Sequence, residues 1–330
     1  MDGIIKQSLA VEKSAKEFIE IVDKDPTLVG ADTGIHDMNM AIGGHIRKKL
    51  TTIAGRSGHG KTASVIPMFK SSERIVGNKK PAYMFLTWEM AAEEVVSRYI
   101  CHEVGLSWRV IYQMPWLLTD EQKKSINEAY QKAKNLPIAY QEMSTSFSHI
   151  KEISNWFCDS CVKLEKRDGV EIVPVMVIDY IGMAKFEGSK ELRTYKISEL
   201  MHNLKGLSKS NDQHTIALAQ INRGADDKDM PDRNDLSDSQ GIEQASDNMF
   251  ILHRPEYQGA QFIKTGGDDQ IPSKDKVMFR LLKGRSVGIG DLILNCEARH
   301  SRFWSLNHEF GFEYWKMYDD PKFWKNYFNR

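Results

Sequence analysis

Short apolar runs alternate with segments of helical periodicity through most of the chain. The clearest runs occupy residues 50–54, 82–87, 172–180 and 215–219. Continuous runs of this length predict strands that are buried on both faces of a sheet. Apolar residues spaced three or four apart predict helices at 90–100, 121–134, 146–166 and 192–210. The alternation predicts an α/β fold with a mostly parallel, twisted sheet flanked by helices.

Four more apolar runs follow in the last third of the chain, at residues 248–253, 277–282, 291–295 and 302–305. Because strands now succeed one another, they predict antiparallel strands at the edge of the sheet. Polar or glycine-containing stretches at 185–193, 224–239 and 257–274 predict mobile loops.

The two ends of the chain differ from this alternating region. An amphipathic pattern predicts a helix within residues 5–22, either covering the core or docking on a neighbouring subunit. We interpret residues 1–30 as a linker or arm and residues 31–308 as the main domain. Residues 309–330 form a tail rich in Phe, Tyr and Trp, which predicts a docked segment because free tails are rarely so aromatic.

Charge and composition narrow the class of protein. The 45 basic and 45 acidic residues leave a formal net charge of zero, so any basic surface for nucleic acid is local. No apolar run reaches the length of a membrane span, and no signal-peptide pattern opens the chain. Four cysteines do not make a disulfide framework, and the single C-x-x-C, Cys158 to Cys161, lacks a second pair at zinc spacing. We expect a cytoplasmic protein, in a bacterial cell or, for a phage-encoded chain, in the host.

The strongest chemical signal is a glycine-rich loop between a predicted strand and a predicted helix. Residues 55–62 read G-x-x-x-x-G-K-T, the pattern of a phosphate-binding loop. Backbone amides of such a loop surround phosphates, and the helix dipole favours their charge. Lys61 would reach the outer phosphates and Thr62 would ligate Mg²⁺. The other candidate nucleotide-binding residues are Gly55, Ser57, Gly58, His59, Gly60 and Arg98.

Three polar side chains stand at the ends of predicted strands. Asp179 ends the most apolar strand, where an ATPase with this loop needs an aspartate on the Mg²⁺ side. Glu89 follows the strand at 82–87, where a carboxylate can activate water, although a helix-capping role explains it equally well. Gln220 follows the strand at 215–219, where a polar tip can sense the terminal phosphate.

Two cations occur at alternate positions near the end of the predicted strand 277–282. Lys283 and Arg285 therefore point to the same side and form a fork. Such a fork can complete a neighbouring subunit's active site in the manner of an arginine finger. The alternative is a solvated strand edge.

Further motifs follow the loop in a fixed order. They are Leu86-Thr87-Trp88-Glu89-Met90, Val177-Ile178-Asp179-Tyr180, Ala217-Leu218-Ala219-Gln220-Ile221-Asn222-Arg223, the string D-L-x-x-S-x-x-I-E-Q-x-x-D at 235–247, and Lys283-Gly284-Arg285. Together they resemble the motor domain of DnaB-type hexameric replicative helicases, including phage-encoded ones, which are RecA-like ATPases. The resemblance covers residues 31–307, and the string at 235–247 is its most specific part. His59 and Trp88 stand where the family usually has apolar residues.

The resemblance implies a RecA-like fold and a role for each site residue. Lys61, Thr62 and Asp179 would hold ATP and Mg²⁺, Glu89 would be the catalytic carboxylate, and the fork would act in trans. Gln220 would link nucleotide state to loops that bind single-stranded DNA in a central channel. The candidate DNA-binding residues of these loops are Lys185, Lys190, Arg193, Arg223, Arg233 and Gly241.

The implied function is ATP-dependent, 5′-to-3′ translocation on single-stranded DNA and unwinding of forked duplex DNA by a homo-oligomeric, hexameric ring. Primase, a loader or a polymerase are the partners expected of this family. The usual N-terminal primase-binding domain is expected to be lacking, since only a short segment precedes the motor region. One alternative is a RecA-like DNA-dependent ATPase, a recombinase or accessory assembly factor, that does not unwind. A small-molecule kinase is a second alternative, which the string at 235–247 disfavours.

Overall fold

A nine-stranded mixed sheet forms the centre of the protein, whose structure is a computed structural model. The structure describes residues 14–15, 28–184, 193–221, 231–235, 239–264, 270–285 and 287–328. The strands are β1 Leu50–Gly55, β2 Lys79–Thr87, β3 Ile138–Gln141, β4 Glu171–Asp179, β5 His214–Gln220, β6 Asn248–His253, β7 Phe262–Lys264, β8 Gln270–Pro272, β9 Lys276–Gly284, β10 Gly290–Glu297 and β11 Arg302–Ser305. The sheet order is β11-β10-β9-β6-β1-β5-β4-β2-β3, and β7 pairs with β8 in a separate hairpin.

Helices cover both faces of this sheet. They are α1 His36–Ile42, α2 Lys61–Ser71, α3 Ala92–Val104, α4 Asp120–Lys134, α5 Phe147–Asp168, α6 Arg193–Ser210, α7 Ser239–Ala245 and α8 Pro321–Phe328. A π turn at Arg109–Gln113 and 3₁₀ turns at Pro115–Leu117, Ile181–Met183, Arg233–Asp235, Pro255–Gln258, Ala298–His300 and Tyr314–Asp319 join them. The sheet has two apolar cores. One packs against α1 to α4, and the other packs against α5 to α7. Within the described residues, no helix is both long and apolar enough to cross a bilayer.

The predicted sheet is confirmed, with six parallel strands and an antiparallel edge. Strands β3, β2, β4, β5, β1 and β6 run parallel, and β9, β10 and β11 each pair antiparallel to their neighbour. In the register, Gly55 pairs with Gln220 and Thr87 pairs with Asp179. The carboxyl ends of β1, β2, β4 and β5 therefore meet at one edge, which is where a ligand binds in open α/β sheets.

One local prediction needs correction, and one helix was not predicted. The stretch 257–274, predicted as a loop, contains part of a 3₁₀ turn and the β7–β8 hairpin, in which Ile263 pairs with Ile271 and is buried. Three-residue strands are too short to show a period in the sequence. Helix α1 was not predicted, because seven residues span only two turns. The helix predicted within residues 5–22 falls outside the described residues, except that residues 14–15 are helical.

The aromatic C-terminal segment packs on this same domain. Tyr318 and Trp324 are buried in a small cluster with Leu28 and Val76. The Tyr318 hydroxyl lies 2.7 Å from Nδ1 of His36, at the start of α1. Residues 314–324 are therefore part of the folded unit and cover the segment that leads into the sheet.

Candidate nucleotide-binding site

The loop that joins β1 to α2 is shaped by its glycines. Gly60 precedes the first residue of α2 with φ 104°, a left-handed conformation that side chains disfavour. Ser57 and Gly58 are exposed at the crest of the loop, and Lys61 opens the helix below it. The loop therefore presents backbone amides and a helix N-terminus at the carboxyl edge of the sheet.

The Lys61 ammonium lies inside this loop. Its Nζ donates hydrogen bonds to the carbonyls of Gly55, at 2.9 Å, and Arg56, at 3.0 Å. Burial lowers the pKa of Lys61, and the nearby carboxylates of Asp179 and Glu89 oppose that shift. A cation held by two carbonyl oxygens can exchange them for phosphate oxygens, which are stronger acceptors.

Thr62 and Asp179 form a pair beside the lysine. The Thr62 hydroxyl donates to Oδ2 of Asp179 at 2.6 Å. Asp179 is 1% exposed, and its other oxygen, Oδ1, has no hydrogen-bond partner among the described residues. A threonine hydroxyl beside a buried carboxylate oxygen with no partner supplies the oxygen ligands that Mg²⁺ prefers. These residues therefore fit the metal that the sequence predicts.

Burial makes the Asp179 carboxyl group a weaker acid. Burial raises its pKa to about 6, and the charge of Glu89 adds to the increase. The Thr62 hydrogen bond, Lys61 and Arg98 act in the opposite direction. Above pH 6 the folded protein therefore holds an ionised, poorly solvated carboxylate, as a cation site does before the cation binds.

We expect Asp179→Asn to stabilise the protein without nucleotide or Mg²⁺. The raised pKa means that stability is lost as pH rises from about 4 through 6, by roughly 3 kcal/mol at most. Asparagine removes the ionisation, so the variant should be more stable at pH 8 and equally stable near pH 4. Urea unfolding at both pH values measures this, with the exposed Asp159→Asn on α5 as control. A variant that is no more stable than wild type at pH 8 would contradict the charge argument.

Glu89 stands next to this pair, in the turn after β2. Its neighbour Trp88 donates its backbone N–H to the carbonyl of Asp179 at 2.9 Å, which ties the turn to the end of β4. The Glu89 side chain is exposed, and its charge acts on both Asp179 and Lys61. The structure thus brings together a group of interacting side chains in which the Glu89 carboxylate is accessible to solvent. Its members are Lys61, Thr62, Asp179, Glu89 and Arg98.

Gln220 borders the loop on its other side. It is the register partner of Gly55, and the following residue, Ile221, donates its N–H to the Gly55 carbonyl at 3.2 Å. With Arg56, Ser57 and Tyr257 it lines a cavity of about 480 Å³ beside the loop. Its position fits a side chain that contacts bound phosphate.

His59 faces the protein interior and anchors the loop. Its Nδ1 accepts the backbone N–H of Arg254 at 3.1 Å, and its ring stacks on His253 at 5.4 Å. Burial lowers the pKa of His59 to about 3, so the ring is neutral and can accept that bond. The side chain thus ties the loop to the end of β6, a role that sequence reasoning missed. The sequence carries no local signal for this role, because the group that bonds His59 is the backbone N–H of a residue far along the chain.

Lys283 and Arg285 point to the same side, as predicted. Nζ of Lys283 donates to the carbonyl of Glu243, and Nη2 of Arg285 donates to that of Gln244 at 2.8 Å. Both cations thus lie at the C-terminus of α7, whose dipole they complement. Asp247 lies 3.8 Å from Nη1 of Arg285.

The strand register places this fork far from the loop of the same subunit. Gly55 is level with Leu252 on β6 and Phe279 on β9, whereas Gly284 is level with Asn248. The fork therefore lies about 13 Å farther along the strands, four residues at roughly 3.3 Å each, and two strands away. The side chains also point towards α7, so they cannot reach phosphates bound in their own loop.

Comparison with known proteins identifies the family. The chain matches the DnaB-like helicase C terminal domain over residues 30–305, which is most of its length. The chain belongs to this DnaB-like family.

Individual DnaB-like relatives are distant in sequence. The replicative DNA helicase DnaC of Bacillus subtilis (strain 168) is 24% identical over 286 residues, which cover 86% of this chain and 58% of the relative. The replicative DNA helicase DnaB of Geobacillus stearothermophilus is 23% identical over 291 residues, 87% of this chain and 59% of the relative. The chain thus spans less than two thirds of these relatives.

Two solved structures share the fold. One of them, an ATPase domain, superposes with a TM-score of 0.75 at 22% identity, covering 93% of this chain and all of that domain. A DnaB-like replicative helicase, described with its interactions with primase, gives 0.74 at 22% identity, covering 93% of this chain and 68% of the other. The predicted RecA-like ATPase fold is confirmed.

The residues predicted to bind DNA are only partly described in this DnaB-like domain. Lys185, Lys190 and Arg223 lie outside the described residues, and Arg193 is the first residue of α6. Arg233 is exposed and pairs with Glu243 at 3.0 Å. Gly241 lets α7 approach α6, because a Cβ there would lie 2.2 Å from Oγ of Ser198. The described contacts of these last two residues hold α7 in place, and their binding of DNA stays a prediction.

Proposed function

We propose that this protein is an ATP-dependent replicative DNA helicase that translocates on single-stranded DNA and unwinds duplex DNA. One observation carries the proposal: in a DnaB-like domain, Lys61 and the Thr62–Asp179 pair stand beside the exposed carboxylate of Glu89. This is the set of groups that binds a nucleoside triphosphate and activates water for its hydrolysis.

In this proposal each group at the carboxyl edge has one task. Lys61 releases the carbonyls of Gly55 and Arg56 and binds the outer phosphates. Thr62 and Asp179 would hold Mg²⁺, which when bound neutralises charge on those phosphates. Glu89 is exposed, and its charge acts on Lys61 and Asp179. It orients the attacking water and accepts its proton.

The site is completed by a second subunit. Lys283 and Arg285 cannot reach their own loop, so we assign them to the phosphates bound by a neighbour, as arginine fingers in trans. Repetition of this head-to-tail contact closes a ring, for which we propose six subunits.

Gln220, at the end of β5, then connects bound phosphate to the following segment, and residues 185–193 and 223–241 track the DNA backbone. As a partner of such a ring we propose a primase, a loader or a polymerase, in the cytoplasm of a bacterial cell or, for a phage-encoded chain, of its host.

A forked DNA substrate tests the function. We expect ATP hydrolysis to be stimulated by single-stranded DNA, and a strand to be displaced from a fork with a 5′ tail but not from one with only a 3′ tail. Because the DNA contacts are largely to phosphates, displacement should weaken as salt increases. Hydrolysis stimulated by single strands with no displacement on any fork would instead identify an ATPase that assembles on DNA without unwinding it.

A further inference from the structure

The turn that carries Glu89 is held by more than its own strand. The Trp88 indole Nε1–H donates to Oε1 of Gln141 at 2.9 Å, and the side chain is only 7% exposed. The Trp88 backbone N–H donates to Asp179, and the Thr87 hydroxyl donates to the Met90 carbonyl at 2.7 Å. Both backbone neighbours of Glu89 are therefore fixed, although its carboxylate is exposed.

Gln141 belongs to a short segment, residues 141–144, which we call the clamp segment. Gln141 ends β3 and donates its Nε2–H to the Met143 carbonyl. Oε1 of Glu142 accepts the backbone N–H of Ala92 at 2.7 Å, at the first residue of α3. The clamp segment is thus bonded to Trp88 before Glu89 and to Ala92 after it.

The clamp segment also reaches the exit of β4. The Ser144 hydroxyl donates to the carbonyl of Met183, in the 3₁₀ turn that follows Asp179. Met183 precedes the stretch 185–193 by two residues. Three hydrogen bonds, linked by the peptide bond between Met143 and Ser144, therefore connect Met183 to Trp88, the neighbour of Glu89.

We propose that the clamp segment positions Glu89 and makes ATP hydrolysis responsive to the chain that leaves β4. Gln141 and Ser144 are its positioning residues, and the inference rests on the proposed function, in which Glu89 acts on water. A shift of Met183 relative to β2 would move the Glu89 turn. Since displacement by about 1 Å can change a rate on the order of 10²-fold, a small shift is enough. DNA bound by residues that follow Met183 would then stimulate hydrolysis by this route.

The Trp88–Gln141 bond can be removed from either side, with the smaller change in side-chain volume on the Gln141 side. Trp88→Phe removes the donor, and Gln141→Leu removes the acceptor together with the bond to the Met143 carbonyl. We expect each variant to lower kcat for ATP on the order of 10-fold with KM within about twofold, because the phosphate site is untouched. The double variant should be slower than the slower single variant by less than the product of the two losses, since both single variants lose the same Trp88–Gln141 bond. Losses that multiply in the double variant, or an unchanged kcat, would overturn the proposal.

The link to β4 is tested separately. In Ser144→Ala we expect the ratio of ATPase rates with and without single-stranded DNA to fall several-fold. The matched control is Ser160→Ala on α5, whose hydroxyl donates within its own helix, to the Trp156 carbonyl at 2.8 Å. A stimulation ratio equal to that of the control would remove the clamp segment from the DNA response. If wild type shows no stimulation, or Glu89→Gln remains active, the proposed function fails instead.

Discussion

Glu89→Gln is expected to reduce ATP hydrolysis by about 10²–10⁴-fold while ATP binding is retained. Glutamine keeps the shape of the side chain but cannot accept a proton from water. The phosphate and metal ligands, Lys61, Thr62 and Asp179, are unchanged, and Glu89 itself is exposed, so no core packing is lost. Steady-state hydrolysis with saturating single-stranded DNA measures the loss, and calorimetric titration with ATP measures the retained binding.

Two further variants serve as controls for Glu89→Gln. Glu93→Gln changes an exposed carboxylate in the first turn of α3, four residues after Glu89 in the chain, and should hydrolyse ATP at close to the wild-type rate. Lys61→Ala should lose binding as well as hydrolysis, because it removes the cation inside the loop. If Glu89→Gln hydrolyses ATP as Glu93→Gln does, the water-activating group is not Glu89.

The part of the site that lies on strand ends could be predicted from the sequence. Asp179, Glu89 and Gln220 each follow an apolar run, and parallel strands deliver their carboxyl ends to one edge. The registers of Gly55 with Gln220 and of Thr87 with Asp179 show the physical basis. No long-range information was needed beyond the alternation of strands and helices.

The other features of the site depend on contacts between residues that are distant in the chain. The local sequence pattern does not show such contacts. The distance of Lys283 and Arg285 from their own loop follows from the order β1-β6-β9, which the sequence does not state. The inward direction of His59 depends on a hydrogen bond to Arg254. In its motif Trp88 is only an unusual residue, and its role depends on Gln141, whose side-chain oxygen accepts its indole N–H.

Mixing two inactive variants is expected to restore ATP hydrolysis. Arg285→Ala should lower kcat by about 10³-fold or more, because an arginine finger is worth 10³–10⁵ in rate. An Arg285→Ala subunit still offers an intact Glu89, and a Glu89→Gln subunit still offers an intact fork. In a randomly mixed ring about one quarter of the interfaces would combine the two intact halves, so activity should return to a measurable fraction of wild type.

The control for this mixture is Lys61→Ala with Glu89→Gln, which damages the same half of the site and should show no rescue. Arg285 also bonds the Gln244 carbonyl within its own subunit, so thermal unfolding of Arg285→Ala separates a folding defect from a missing finger. A mixture no more active than the Lys61→Ala control would mean that the fork does not act across subunits. Because the strand register keeps Arg285 away from its own phosphates, that outcome would leave it as a cap on α7 with no part in the reaction.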